Sequence, residues 1–303
     1  MISYSKRKGQ NLCRSQVTTV KAPAFAKINL TLHVTGQRGD GYHLLHSLVV
    51  FADLADQVAV TTAPRGLQLS CTGQFALGVP TDEKNLAMQA AAVFAYARDV
   101  ELGATIAIEK MLPHAAGIGS ASADAAAVLR MMPTVWNVPE LEANSPDILA
   151  LGADVPVCMH APKPAIMSGI GENVQDAPRL PPCAMVLVNP RVEVPTKEVF
   201  ERLKQKTNAP MSAPPSFGSL QDFCTWLSQQ RNDLEQPACE IAPEISRALT
   251  MLRRMPAVGW AGMSGSGATC VALVKDMGAA RQVARAIQVQ EMSWWVAPTP
   301  MLG

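Results

Sequence analysis

An α+β fold in two units, a mixed α/β first half and a split βαβ second half, is what three features of this 303-residue sequence predict. Apolar residues alternate at period two through several early runs. A loop of small residues opens a helix near residue 120. The later elements read β-α-α-β-β-α-β once one extra helix near Phe223 is set aside.

The first strand is FAKINLTLHV, where Ile28, Leu30, Leu32 and Val34 alternate with Lys27, Asn29, Thr31 and His33, the pattern of a half-buried strand with Lys27 and Asn29 on its polar face. Strands at SLVVF, QVAVTT and LQLSC follow, then a helix over residues 85–98, a strand at ATIAIE and a helix over residues 122–132. Beyond residue 159 come the strand AMVLVN, a helix over 196–203, the Pro/Ser-rich stretch NAPMSAPPSFGS, helices around Phe223 and over 244–254, strands AVGWAG and ATCVALV, a helix over 278–287 and the strand SWWVAP. The Pro/Ser stretch reads as an insertion loop, because the strand pattern it interrupts is completed afterwards. These features place the boundary between units near residues 160–175.

Composition excludes several classes. At 48% hydrophobic and 17% charged residues the chain is globular rather than disordered. A net charge of +1 argues against a nucleic-acid partner bound by bulk charge, so any anion is held locally. No apolar run approaches the roughly 18 residues of a membrane helix. The seven cysteines form no C-x-x-C pair and no His/Cys cluster at metal-ligand spacing, which predicts free thiols in a reducing, cytoplasmic setting. The basic start MISYSKRKGQNLCRSQ lacks an apolar core and reads as a frayed extension over residues 1–21 rather than a secretory signal.

The chemistry concentrates in KMLPHAAGIGSASADAAAVLR, residues 110–130. Small side chains from Ala115 to Ala121 run into Ser122, Ala123 and Asp124 and then an alanine-rich helix. N–H groups at a helix start are unpaired and lie at the positive end of its dipole, which suits a phosphate, and Gly117 and Gly119 permit φ > 0 and close approach. A plain tight turn capped by Ser122 accounts for the same residues. No G-x-x-x-x-G-K-[ST] is present, and Ser122 takes the third position of G-x-G-x-x-G. GMSGSGATC, residues 262–270, is either a Gly-rich hairpin or a backbone nest for an anion beside the first loop. LGADVPVCM holds one carboxylate, Asp154, in apolar company. It is either a helix cap or a functional group, with Lys27 as its candidate partner. In GQRGDGYHLLHS, Tyr42 and His43 either stack on and hydrogen-bond a base or pack as a surface turn.

Together these segments resemble the GHMP kinase superfamily. The match runs in family order from about residue 22 to 297 through PAFAKINLTLHVTGQRGDGYHLLHSL, KMLPHAAGIGSASADAAA, LGADVPV, GIGENV, NDLE and GMSGSGATC. The GDGYH turn is similar to the branch whose substrate carries cytosine. The resemblance implies a two-domain GHMP kinase fold, with an ATP-binding domain over residues 22–165, a ferredoxin-like substrate domain over residues 166–303, and the active site in the cleft between them. It further implies ATP and Mg²⁺ as cofactors and a small-molecule substrate, a cytidine diphosphate-linked methylerythritol phosphorylated on its 2-hydroxyl for isoprenoid synthesis.

By the same resemblance Asp154 is the catalytic base and Lys27 stabilises its carboxylate and the reacting oxygens. Asn29 contacts the polyol, while Tyr42, His43 and Phe200 hold the cytosine. Gly265 and Ser266 close on the substrate side. Asn85 and Lys110 are implied on the adenine side, and Pro113, Ala115, Ala116, Gly117, Ile118, Gly119, Ser120, Ala121, Ser122 and Asp124 form the loop around the ATP phosphates. No protein metal ligand and no oligomeric state is assigned. The chain departs from the family at Ser120 and Ala121, where glycines are usual, and at Ala115. If these positions need φ > 0, each β-carbon costs on the order of 1 kcal/mol. A sister kinase acting on homoserine or mevalonate is the nearest alternative, against which Tyr42 and His43 speak. A catalytically silent relative is the other, against which the joint presence of Lys27 and Asp154 speaks.

Overall fold

Strands β1 (Thr19–Asn29) and β2 (His33–Gln37) pair antiparallel with β3 (His43–Thr62), a 20-residue strand that is the spine of the molecule. This is a computed structural model, and it describes residues 17–100, 103–114 and 116–303. The predicted strands at SLVVF and QVAVTT are one strand. The residues between them contain no Gly or Pro, and Ala52 and Asp56 stay fully buried.

After β4 (Gly66–Thr72), helix α1 (Leu86–Ala97) crosses to β5 (Gly103–Glu109), which runs parallel to β4 and antiparallel to β3. Asn85 caps α1, its side chain accepting from the Ala87 N–H at 2.9 Å. Helix α2 (Ser120–Trp136) begins two residues before its predicted start, and α3 (Pro146–Leu151) and α4 (Val155–Met159) follow. The hairpin of β6 (Ala165–Gly169) and β7 (Asn173–Asp176) returns to pair with β3. Alanines 87, 90, 91, 123, 126 and 127 let α1 and α2 pack closely over this sheet in one core.

The second half runs β8 (Ala184–Asn189), α5 (Thr196–Glu201), α6 (Leu220–Ser228), α7 (Glu235–Ile241), α8 (Pro243–Arg253), β9 (Val258–Met263), β10 (Cys270–Val274), α9 (Met277–Gln290) and β11 (Trp295–Leu302). Its sheet order is β11-β8-β10-β9, the fourth, first, third and second strands of the half, which is the split βαβ arrangement. Helix α7 has no counterpart in the predicted elements.

Two expected boundaries move. Residues 19–21, assigned to the extension, are the first residues of β1 and pair with Ala59–Thr61 of β3, while residues 1–16 lie outside the described residues. The division at 165/166 cuts through β6, which belongs with β7 to the first half's sheet, so the structural seam falls between β7 and β8. The halves share one sheet, because Met301 and Leu302 of β11 pair with Ala52 and Phe51 of β3. Among the described residues no helix is long and apolar enough to cross a membrane.

Candidate active site

The half-buried strand expected around Lys27 is buried on both faces: Lys27 is 2% exposed and Asn29 1%. The polar face of β1 faces a cleft rather than bulk water. A register shift between Phe25 and Lys27 breaks the β1–β3 pairing at this point, and such a bulge re-aims the side chains beside it. Lys27 Nζ donates to Asp154 Oδ2 at 2.7 Å. Asp154 occupies the N-cap position of α4, yet its side chain makes no capping hydrogen bond, so the helix-cap account of this residue fails. Among the described residues the lysine is its one ion-pair partner.

The loop of small residues that opens α2 is fastened to this pair. The Lys27 N–H donates to Ile118 O at 2.9 Å, and Gly119, at φ +63°, is the N-cap residue of α2 with no side-chain cap. The first-turn N–H groups of Ser120, Ala121 and Ser122 are therefore left at the wall of the cleft, at the positive end of a 17-residue helix. Ser122 lies inside α2, which removes the account of this segment as a turn capped by Ser122. Ser120 and Ala121 are helical as well, so the strain expected from their β-carbons does not arise. Gly119 has room for little else, since a β-carbon there would stand 3.3 Å from the Lys27 side chain. Ala115 lies outside the described residues.

The second loop packs directly on the first. A β-carbon on Gly117 would stand 2.5 Å from Gly267 O and 2.7 Å from Ser264 O. Ser264 Oγ donates to Gly117 O at 2.9 Å, and Thr269 Oγ1 to Ala116 O at 2.5 Å. The segment is the turn of the β9–β10 hairpin, as the hairpin account expects, and Gly265, Ser266 and Gly267 of that turn line the cleft. The cleft between these loops has a volume of about 490 Å³ and is lined by Lys27, Asn29, Asp154, Gly117, Gly119, Gly265 and Ser266 among others. Asn29 donates from Nδ2 to Ser47 Oγ at 2.8 Å, and its buried Oδ1 has no protein partner.

A second cavity of about 520 Å³ contains Tyr42, His43 and Phe200, and it shares Leu45, Ala153 and Phe200 with the first. The His43 and Phe200 rings stack on each other at 4.6 Å and 20°, presenting a face rather than a slot, while Tyr42 is 58% exposed at the rim. Burial, and then the nearby Lys206 charge, hold His43 below the ordinary histidine range, so it is neutral at pH 7.

The remaining expected contacts face elsewhere. Asn85 uses its side chain on Ala87 N and Pro80 O, and neither it nor Pro113 lines the cleft. Lys110, 2% exposed, donates all three of its protons inward, to Asp56 Oδ2 at 2.5 Å, Ser120 Oγ at 2.6 Å and Asp124 Oδ2 at 2.6 Å. Burial opposes its charge, but Asp124 and Asp56 outweigh that and hold the ammonium above the usual lysine range. Burial pushes Asp124 up to about 7, against the pull of Lys110. Lys110 and Asp124 therefore form a buried foundation of the loop, and neither lines the cleft. The sequence pattern gave no sign of Asp56, since it sits mid-strand, 54 residues from its lysine.

The Ser120 hydroxyl joins this foundation, donating to Asp56 Oδ2 at 2.9 Å. Ser120→Gly, the reversion to the family's usual residue, is expected to cost about 1.5–3 kcal/mol for bonds to charged groups and to leave ATP affinity no better. Urea unfolding and a nucleotide titration check this.

Residues 85–167 match the family model described as GHMP kinases N terminal domain, and residues 215–291 match GHMP kinases C terminal. A 4-diphosphocytidyl-2-C-methyl-D-erythritol kinase of Dinoroseobacter shibae is 49% identical over 277 residues, covering 91% of this chain and 93% of the relative. One from Ruegeria pomeroyi is 48% identical, covering 92% and 98%. A crystal structure of a 4-(cytidine 5'-diphospho)-2C-methyl-D-erythritol kinase superposes with a TM-score of 0.72 at 30% identity, covering 94% of this chain and all of that one. A homoserine kinase from Cytophaga hutchinsonii shares the fold at 16% identity and a TM-score of 0.64. With the lysine–carboxylate pair, the two apposed loops and the two-unit fold in place, the chain belongs to the GHMP kinases, within the group of 4-diphosphocytidyl-2-C-methyl-D-erythritol kinases.

Proposed function

We propose that this enzyme transfers the γ-phosphoryl group of ATP to the 2-hydroxyl of 4-diphosphocytidyl-2-C-methyl-D-erythritol, with Asp154 as general base and Lys27 as stabiliser of the reacting oxygens. The observation that carries the reading is the 2.7 Å Lys27–Asp154 pair in the cleft between the two glycine loops, in a chain whose relatives bear that kinase's name.

Phosphoryl transfer asks a protein mainly for positioning and for charge placed where charge develops. The Asp154 side chain is 36% accessible from the cleft, and its Oδ1 carries no protein hydrogen bond among the described residues. That oxygen accepts the acceptor-hydroxyl proton, while Oδ2 stays on the ammonium. Lys27 holds the carboxylate oriented through Oδ2 and places its ammonium in the same cleft, where it can meet the incoming oxygen. The unpaired N–H groups of α2 and the bare backbone at Gly117 and Gly119 suit the phosphates of a nucleotide. Mg²⁺ arriving with the nucleotide would neutralise charge on those phosphates.

Asn29 Oδ1, buried and unpartnered, suits a hydroxyl of the polyol. The cytosine belongs in the second cavity, on the Phe200–His43 face, with the neutral imidazole free to hydrogen-bond a base edge. The free thiols among the described residues suit a reducing, cytoplasmic setting.

The test is ADP release from ATP and Mg²⁺ with and without the cytidine substrate. Release that depends on the substrate and is competed by CDP supports the reading, and release unaffected by either overturns it. Phe200→Ala is expected to raise KM for the substrate roughly tenfold, the loss of one stacking face, with KM for ATP unchanged.

A further inference from the structure

The NDLE segment, residues 232–235, takes no part in the chemistry above, yet its first residue reaches the site wall. The Asn232 carboxamide donates from Nδ2 to Met263 O at 2.8 Å and to Gly265 O at 2.9 Å, and its Oδ1 accepts from the Leu234 N–H at 3.0 Å. Both amide protons are thus spent on one loop. The backbone that carries Asn232 is stitched to the β1–β2 connection, with Leu32 N donating to Arg231 O and Asp233 N to Leu32 O, each at 2.8 Å. Leu32 lies three residues beyond Asn29, so the anchor of Asn232 is the same stretch of chain that carries Lys27 and Asn29.

On its other side the loop meets the phosphate loop with no slack. A β-carbon on Gly265, which is at φ +58°, would stand 3.1 Å from Gly117 O and 3.5 Å from Asn29 Oδ1. The loop is held between a carboxamide fork on one flank and the Gly117 backbone on the other. Elsewhere in the segment Leu234 lines the cleft, and Glu235 Oε2 accepts from the Met263 N–H at 3.4 Å, a longer contact than either made by Asn232. Asp233 accepts from Val34 N and Arg231 Nε, and Glu235 accepts from Arg253 Nη2.

We propose that Asn232 is a positioning residue of the phosphoryl-transfer site, acting through Gly265 to set residues 262–267 against the phosphate loop and so to fix where the acceptor hydroxyl stands relative to Asp154. The effect on turnover rests on the kinase reading given above, and the effect on the loop does not. Asn232→Asp keeps the shape of the side chain but puts a carboxylate oxygen where Nδ2 stood, facing two carbonyl oxygens. The loop loses its fork, and a displacement near 1 Å at a reacting centre costs about 100-fold.

The experiment compares Asn232→Asp with Asp233→Asn in the full chain. Asn232→Asp is expected to lower kcat about 30–100-fold with KM for ATP within about twofold of wild type. Backbone amides of residues 262–267 are expected to exchange with solvent at least about tenfold faster, while those of α1 are unchanged. Asp233→Asn is expected to lower the melting temperature and leave kcat and the loop's exchange in place. Should Asn232→Asp fail to fold, Asn232→Ser, which keeps one donor, carries the same test with a smaller loss of kcat. A kcat within threefold of wild type, or loop exchange no faster than wild type, overturns the proposal. The exchange comparison needs no substrate, so a wild-type protein inactive on the cytidine substrate defeats the kinase reading and leaves the hold of Asn232 on the loop to be decided separately.

Discussion

Asp154→Asn is expected to lower turnover by 10²- to 10⁴-fold, the usual contribution of a positioned general base, while ATP binding stays within about twofold of wild type. The amide keeps the volume and one acceptor of the carboxylate but not its basicity, so the acceptor hydroxyl can still bind and its proton has nowhere to go. Nucleotide binding survives because the loop is held by contacts that do not involve Asp154: Lys27 N to Ile118 O, Ser264 Oγ to Gly117 O and Thr269 Oγ1 to Ala116 O. Lys27 loses its counter-charge in this variant, and its ammonium stays near the phosphate wall, where it favours rather than opposes an anion. Substrate-dependent ADP release measured beside a nucleotide titration checks both halves of the expectation. Turnover within a few-fold of wild type removes Asp154 from the role of base.

The second large effect is on stability. Lys110→Met leaves Asp56 and Asp124 buried together without their cation. Removing one partner of a buried ion pair costs about 3–5 kcal/mol, which in a protein of this size lowers the melting temperature by roughly 5–8 °C. Asp56 retains the Met111 and Leu112 N–H groups at 2.6 and 2.9 Å, so the strand itself holds and the damage centres on the start of α2. The same cluster sets a pH dependence. The Asp124 carboxyl, raised to about 7 in the folded protein, keeps a proton that the unfolded chain releases near 4, while Lys110 stays charged throughout. The folded state then binds more protons than the unfolded state between about pH 4 and 7, and stability falls as pH rises through that window. Asp124→Asn is expected to flatten that fall and to melt higher than wild type at pH 8. Melting curves of the two proteins at pH 5 and pH 8 that run parallel contradict the assignment.

Much of the fold was legible locally. Period-two alternation and turn residues marked most strands, a helical run over residues 85–98 marked α1, and the alanine-rich run after Asp124 marked α2. The small residues before α2 marked a loop opening a helix, and the structure has that loop there. Elements shaped by packing were not legible: α3, α4, α7 and the β6–β7 hairpin are too short for a periodicity to show, and the seam between halves depends on which strand β6 pairs with.

The sequence by itself pointed to the kinase family, through motifs that resemble it in family order, and offered Lys27 and Asp154 as candidates. Only the tertiary structure decided that Lys27 and Asp154, 127 residues apart, lie 2.7 Å from each other, and that Lys110 turns inward to Asp56 and Asp124 instead of lining the cleft. It alone decided that Asn232 holds Gly265 across 33 residues. Pairings at such separations depend on which strands become neighbours in the sheet and on which buried charges must find a counter-charge once water is gone. Neither is written in any short stretch of the chain.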